Sequence, residues 1–274
     1  MTSATTVAPS DRITVTITEG VADVRLVRVD KMNALDAPMF NALVDTAERL
    51  RTENGLRAVV LSGEGRAFCA GLDMGRFAAM GDGSSDLRDL AKRTHGLANH
   101  SQQAVWGWRQ LPVPVIAAVH GVAFGGGFQL AIGADMRFVA PDTRMSITEI
   151  KWGLVPDMAG TPILARLVRD DILRDLAYTG CIFSAQEAMS YGLATRICDD
   201  PRAEALAAAR EIAGKNPDAI RGIKRMLNGL GGDPGPALLA ESVEQMKVMG
   251  TPNQTEAVRA NLEKRAPNFL DGAN

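Results

Sequence analysis

Two glycine-rich stretches hold the chemistry this chain can offer. The first is Val119-His120-Gly121-Val122-Ala123-Phe124-Gly125-Gly126-Gly127-Phe128-Gln129. An apolar, β-branched run from Val113 to Val119 predicts a buried strand before it, and a helical pattern begins at Phe128. Glycine has no Cβ, so another molecule can approach its main chain closely. The first amides of a helix lack intrahelical partners and carry the positive end of its dipole. Strand, glycines and helix in that order can aim bare N–H donors at an oxygen that becomes negative during a reaction; the alternative is a tight turn with close helix–strand packing. The second stretch, Gly63-Glu64-Gly65-Arg66-Ala67-Phe68-Cys69-Ala70-Gly71-Leu72-Asp73-Met74, follows a predicted strand from Ala58 to Ser62. An oxyanion hole needs donors converging from different segments, and the N–H groups of Leu72 and Gly126 are the candidates.

These stretches need a scaffold of strands alternating with helices. Ile13 to Thr18 and Val21 to Val27 alternate apolar and polar residues around a Glu19-Gly20 turn, which predicts a β-hairpin. Asp36 is an N-cap with Pro38 in the first turn, and Phe40, Leu43, Val44, Ala47 and Leu50 recur at helical spacing. A long helix is expected from Leu87 to Gln110, ended by Pro112. Met80 to Ser85 has the composition of a flexible loop at a substrate entrance. A strand over Met136 to Val139 follows. Ser184 and Glu187 form a capping box for a helix that Gly192 ends, before a short strand from Leu193 to Ile197. Beyond Pro201 the pattern is helical, interrupted at Gly231 to Pro236 and Gly250 to Pro252. The expectation is an α/β core with right-handed connections and a helical tail.

Arg66-Ala-Phe-Cys-Ala-Gly-Leu-Asp73 and Ala117-Ala-Val-His-Gly-Val-Ala-Phe-Gly-Gly-Gly127, in that order, resemble the enoyl-CoA hydratase/isomerase (crotonase) family, and the resemblance runs from about Ile13 to Phe269. It implies a spiral core of ββα repeats and a C-terminal helical region that builds trimers. The implied division is a flexible N-terminus over 1–12, a spiral core with the CoA and catalytic site over 13–200, and a helical region over 201–274. In the family's hydratases two glutamates share one water; their positions match Gln129 and Glu149 here. An amide cannot accept a proton as a general base must, so the paired-glutamate hydration mechanism is incomplete. Gln129 is left to hold a water or orient a carbonyl. Asp157, eight residues after Glu149, resembles an acid of the family's dienoyl-CoA isomerases, which also carry an acid where Gln129 stands.

Glu149 as proton carrier with Asp157 assisting is thus the implied chemistry, and it favours isomerisation. Hydration of a 2-enoyl-CoA, acyl-CoA binding without hydratase activity, and thioester hydrolysis stay open. For CoA, the resemblance implies Lys31, Asn33, Ala34 and Leu35 in an early loop, then Ala70, Leu72, Asp73 and Met74. Lys264 and Phe269 belong to a C-terminal element that often closes a neighbouring subunit's site. The CoA thioester is the substrate, and no further cofactor is expected. The expected assembly is a homotrimer or dimer of trimers, with Leu238, Leu239, Val243, Met246 and Val248 buried against other subunits.

Composition restricts the remaining classes. The 274 residues are 46% hydrophobic but only 5% aromatic, so Ala, Val, Leu and Ile must build the core. A net charge of −2 argues against general binding to nucleic acid or anionic membrane. Lys215, Arg221, Lys224 and Arg225 read as a solvated helix face. Cys69, Cys181 and Cys198 are few and widely separated, as in a reducing compartment. His95, His100 and His120 lack metal-ligand spacing, with His120 packed at a strand end. No apolar run approaches the ~20 residues that span a bilayer, and the N-terminus has no secretory pattern. Cytoplasm is the expected location.

Overall fold

The computed structural model describes residues 5–7, 10–76 and 89–269. Residues 80–85, the expected entrance loop, lie outside them. A seven-stranded sheet runs in the order β1-β2-β3-β4-β5-β7-β10, and a three-stranded sheet has the order β6-β8-β9. In the large sheet β1 (Thr5–Val7), β2 (Ile13–Thr18) and β3 (Val21–Leu26) are antiparallel. From β3 onward β4 (Ala58–Gly63), β5 (Val115–Val119), β7 (Met136–Val139) and β10 (Arg196–Ile197) add in parallel. The small sheet joins β6 (Val122–Phe124) to β8 (Arg144–Ser146) in parallel and β8 to β9 (Phe183–Ser184) antiparallel.

Parallel strands buried on both faces should be apolar throughout, and β4 and β5 are almost wholly so. The period of two divides their side chains between two layers. Ala58, Val60, Ile116, Ala118 and Phe138 meet Ala205 and Ala209 of α7 (Pro201–Ala213) on one face. Val59, Leu61, Val115, Ala117 and Val119 face the main core with Leu43, Trp108 and Phe128. That core is closed by α1 (Ala37–Arg51), α2 (His100–Arg109) and α3 (Gly126–Gly133).

Beyond β8 come α4 (Gly160–Leu164), α5 (Asp170–Thr179) and α6 (Ala185–Tyr191). The tail adds α8 (Pro217–Gly229), α9 (Gly235–Val248) and α10 (Pro252–Glu263). Asp36 caps α1 by accepting the Met39 N–H, and Ser184 with Glu187 forms the capping box of α6, ended by Gly192 in the left-handed region. Among the described residues no helix is long and apolar enough to cross a membrane.

Three expectations are corrected. The helix expected from Leu87 begins only at His100, because the side chains of Asn99 and Gln102 cap each other's backbone N–H and residues 89–99 turn instead. Lys224 is no solvated charge: it is 6% exposed and donates to Asp135 at 2.7 Å and the Val113 carbonyl at 2.8 Å, tying α8 to the sheet. Leu238 is not left for another subunit; it is fully buried within the chain, whereas Leu239 and Met246 remain exposed.

Candidate active site

The two glycine-rich segments meet at their backbones. The Cys69 N–H donates to the Val122 carbonyl at 3.1 Å, and the Phe124 N–H donates to the Cys69 carbonyl at 3.2 Å. Gly71 has φ +92°, and a Cβ there would lie 2.5 Å from the Phe124 carbonyl oxygen. The triplet is glycine for separate reasons. Gly125 combines φ 49° with ψ −119°, a region closed to side chains. A Cβ on Gly126 would strike Met158 and Leu35, and one on Gly127 would lie 2.4 Å from the Cys69 carbonyl oxygen. Gly126 opens α3, so its N–H has no helical acceptor by position. Neither it nor the Leu72 N–H meets another acceptor among the described residues. Leu72, Gly125, Gly126, Glu149 and Asp157 line one cavity, with Ala70 and Met74 also in its wall.

Glu149 opens a short 3-10 turn, Glu149–Trp152, directly after β8. Its Oε1 accepts from Gln129 Nε2 at 2.6 Å, while its buried Oε2 has no hydrogen-bond partner among the described residues. Burial pushes the Glu149 carboxyl up to about 7; the nearby Glu241 charge adds to this, and its own N–H and the Gln129 amide oppose it. Burial, then the charges of Glu241 and Glu149, push Asp157 up to about 8. The cavity thus holds two acids that change protonation near neutral pH, the less basic being Glu149.

Gln129 is turned toward protein partners. It is not among the described residues lining the cavity, and it is 1% exposed. Its Oε1 accepts from the N–H groups of Met158 at 2.9 Å and Gly160 at 3.0 Å, and its Nε2 is spent on Glu149.

The expected CoA residues divide into two groups. Ala70 and Met74 reach the cavity. Asn33 is fully buried and staples the first glycine-rich loop by donating to the carbonyls of Glu64 and Ala67. Ala34 accepts from Arg28, and Leu35 packs under Gly126. Asp73 pairs with Arg28 at 2.7 Å and accepts the Gly75 N–H. Lys31 is exposed. Lys264 and Phe269 border a separate cavity with Lys151, Asn261 and Arg265. Among the described residues no cluster of three His, Cys, Asp or Glu side chains has metal-site geometry.

The helical tail holds the acidic segment from behind, which the sequence reading missed. Gln254 of α10 donates to the Trp152 carbonyl at 3.2 Å, and Asn261 donates to that of Lys151. Gln245 of α9 accepts the Val155 N–H at 2.9 Å and itself lines the cavity. Residues 13–200 therefore do not enclose the site alone. The only signal available was the i, i+4 spacing of Glu241 and Gln245, two polar residues on one helix face.

Residues 16–272 match the family described as enoyl-CoA hydratase/isomerase. A mevalonyl-coenzyme A hydratase of Beauveria bassiana is 33% identical, over 90% of each chain. A mitochondrial Delta(3,5)-Delta(2,4)-dienoyl-CoA isomerase of Mus musculus is 29% identical, over 89% of this chain and 77% of the relative. The crystal structure of an enoyl-CoA hydratase/isomerase from Pseudoalteromonas atlantica superimposes with a TM-score of 0.82, at 28% identity, covering 95% of this chain and all of the other.

Proposed function

Because the chain belongs to the enoyl-CoA hydratase/isomerase family, we propose that it takes an unsaturated acyl-CoA thioester and moves its double bond through an enolate, in preference to adding water. The observation that carries this reading is the placement of Gln129, buried outside the cavity wall with its amide holding Glu149 and the loop at 158–160. The paired-glutamate route to adding water needs a second carboxylate beside Glu149, and Gln129 at that position supplies none. Moving a proton between carbons needs only an acid/base pair beside a stabilised enolate.

In this reading the thioester oxygen lies against the Leu72 and Gly126 N–H groups, and one such donor is worth roughly 3 to 4 kcal/mol to the transition state. Glu149, at about 7, is half ionised at neutral pH and takes a proton from C2. The released electron pair delocalises onto the carbonyl oxygen. Asp157, at about 8, is mostly protonated and returns a proton at C4 of a 3-enoyl ester or C6 of a 3,5-dienoyl ester. The electrons fall back to place a double bond in conjugation with the thioester, and solvent then restores Glu149 and Asp157 to their starting forms. Two carboxyls that burial holds near neutral pH can thus serve one as base and the other as acid. No electron leaves the substrate, so no redox cofactor is invoked. Ala70 and Met74 flank the pantetheine, and Lys264 and Phe269 serve the site of a neighbouring subunit.

The test is to assay the purified protein against 2-enoyl-, 3-enoyl- and 3,5-dienoyl-CoA of short and long chain. Isomerisation of a 3-enoyl or 3,5-dienoyl ester should exceed hydration of every 2-enoyl ester. Faster hydration would overturn the assignment.

A further inference from the structure

Helix α9 brings a third buried carboxyl to this region, one that the proposed step does not consume. Glu241 is 4% exposed. Its Oε2 accepts the Ala159 N–H at 2.8 Å and Gln102 Nε2 at 2.9 Å; its Oε1 accepts the Thr161 N–H at 2.7 Å and the Thr161 hydroxyl at 2.5 Å. The Met158 and Gly160 amides go to Gln129 instead. Four consecutive amides are thus shared alternately between a side chain of α3 and one of α9. Between them Ala159 sits at φ +65°, a conformation that costs an L-residue energy and persists where its surroundings impose it. Glu241 and Gln129 supply those surroundings. Gln102 is fixed in turn by Arg93, which donates to its Oε1 at 2.9 Å and to Ser242 at 2.8 Å.

We propose that Glu241 is a positioning residue for the reaction: from α9 it fixes the backbone of residues 159–161, and so places Asp157 and, through Gln129, the carboxyl of Glu149. This rests on the reading that Glu149 and Asp157 move the proton, and extends it to how they are held. Losing the carboxyl frees the Ala159 and Thr161 amides, relaxes the loop and lets Gln129 turn. The charged groups whose fields meet Glu241 are Arg93 across Gln102, and Asp157 and Glu149 at the cavity. Its immediate partners Gln102 and Thr161 are neutral.

The experiment compares wild type with Glu241→Ala and Glu241→Gln, using whichever CoA ester wild type turns over best. Hydrogen exchange of the peptide spanning residues 155–164 is measured beside it. Glu241→Ala should lower kcat at least tenfold, leave KM within about threefold, and speed exchange at Ala159 and Thr161. Glu241→Gln keeps an acceptor but not the charge. It should recover most of kcat while moving both limbs of the pH profile to lower pH, because a negative neighbour of two carboxyls has gone.

Unchanged exchange in a folded Glu241→Ala protein would overturn the proposal. So would a lower melting temperature with kcat and pH profile intact, which would mark a purely structural residue. Should the Ala variant fail to fold, an unmoved pH profile in Glu241→Gln overturns it equally. The underlying reading is checked separately: wild-type turnover in Glu149→Gln sinks the proton-carrier role, whereas exchange at 159 and 161 does not depend on it.

Discussion

Replacing Gln129 by methionine preserves shape and removes one charge-assisted hydrogen bond to the base. The Nε2 to Oε1 distance of 2.6 Å marks a strong contact with an ionisable partner, and such bonds are worth about 1.5–3 kcal/mol. At about 1.4 kcal/mol per unit, losing it should raise the affinity of Glu149 for its proton by about 1–2 units. The acid limb of kcat/KM, set in wild type by a group at about 7, should climb accordingly. The ionised fraction at pH 7 then drops about 5- to 50-fold, and the rate with it. Because Asp157 still sets the alkaline limb, the optimum moves up by only half the shift, roughly 0.5–1 unit, and the loss is smaller there. The assay is a pH profile of kcat/KM with 3-enoyl-CoA, supported by circular dichroism, since the Met158 and Gly160 amides also lose their acceptor. An unmoved acid limb with a uniform loss at every pH would refute the argument that Gln129 tunes Glu149. A wild-type limb in the ordinary carboxylate range would refute the argument from burial.

Glu149→Gln should lower turnover by about 10²–10⁴-fold with CoA-ester affinity nearly unchanged, measured by steady-state rates and calorimetry. The same variant should be more stable than wild type at alkaline pH. A carboxyl raised from 4.5 to about 7 on folding costs nothing below 4.5 and progressively more up to 7, reaching about 3 kcal/mol; thermal melts at pH 5 and pH 8 would reveal the difference, and equal melts would contradict it. The exposed Ile223, Met226 and Leu227 of α8 and Leu230 just beyond it, with Leu239 and Met246 of α9, should bury in a trimer or dimer of trimers. Light scattering that returned a monomer at micromolar concentration would exclude this.

What could be read from the sequence was local. Asp36 and Ser184 announce their helices because capping is a contact between residues three apart. The glycine triplet announces a backbone approach because no other residue fits beside the Cys69 carbonyl. Asn99 and Gln102 carry the same kind of signal, and their reciprocal cap sets the start of α2. The arrangement behind the carboxyls was not legible, since Glu241 serves amides 80 and 82 residues away and main-chain partners leave no mark on the side chains of 159–161. Lys224 misled because a charge on an amphipathic helix is ordinarily solvated, and its partner Asp135 lies 89 residues away. The position of Gln129, 20 residues before Glu149, was legible. Its orientation depends on a loop 29–31 residues further on.

The sharing of the amides at 158–161 also limits the mutational routes open to this protein. A change of Gln129 to glutamate needs one codon position, yet it would add a carboxyl to a small volume already holding Glu149, Asp157 and Glu241. In this background the new acid would share a proton with Glu149 and leave the base impaired. Truncating Glu241 to alanine first would lower the charge density, but it releases the loop. The two substitutions are therefore not independent: each is harmful alone, and their order decides whether the intermediate retains activity. Gain of a second glutamate is an epistatic passage here, and the alternating grip on four amides is its barrier.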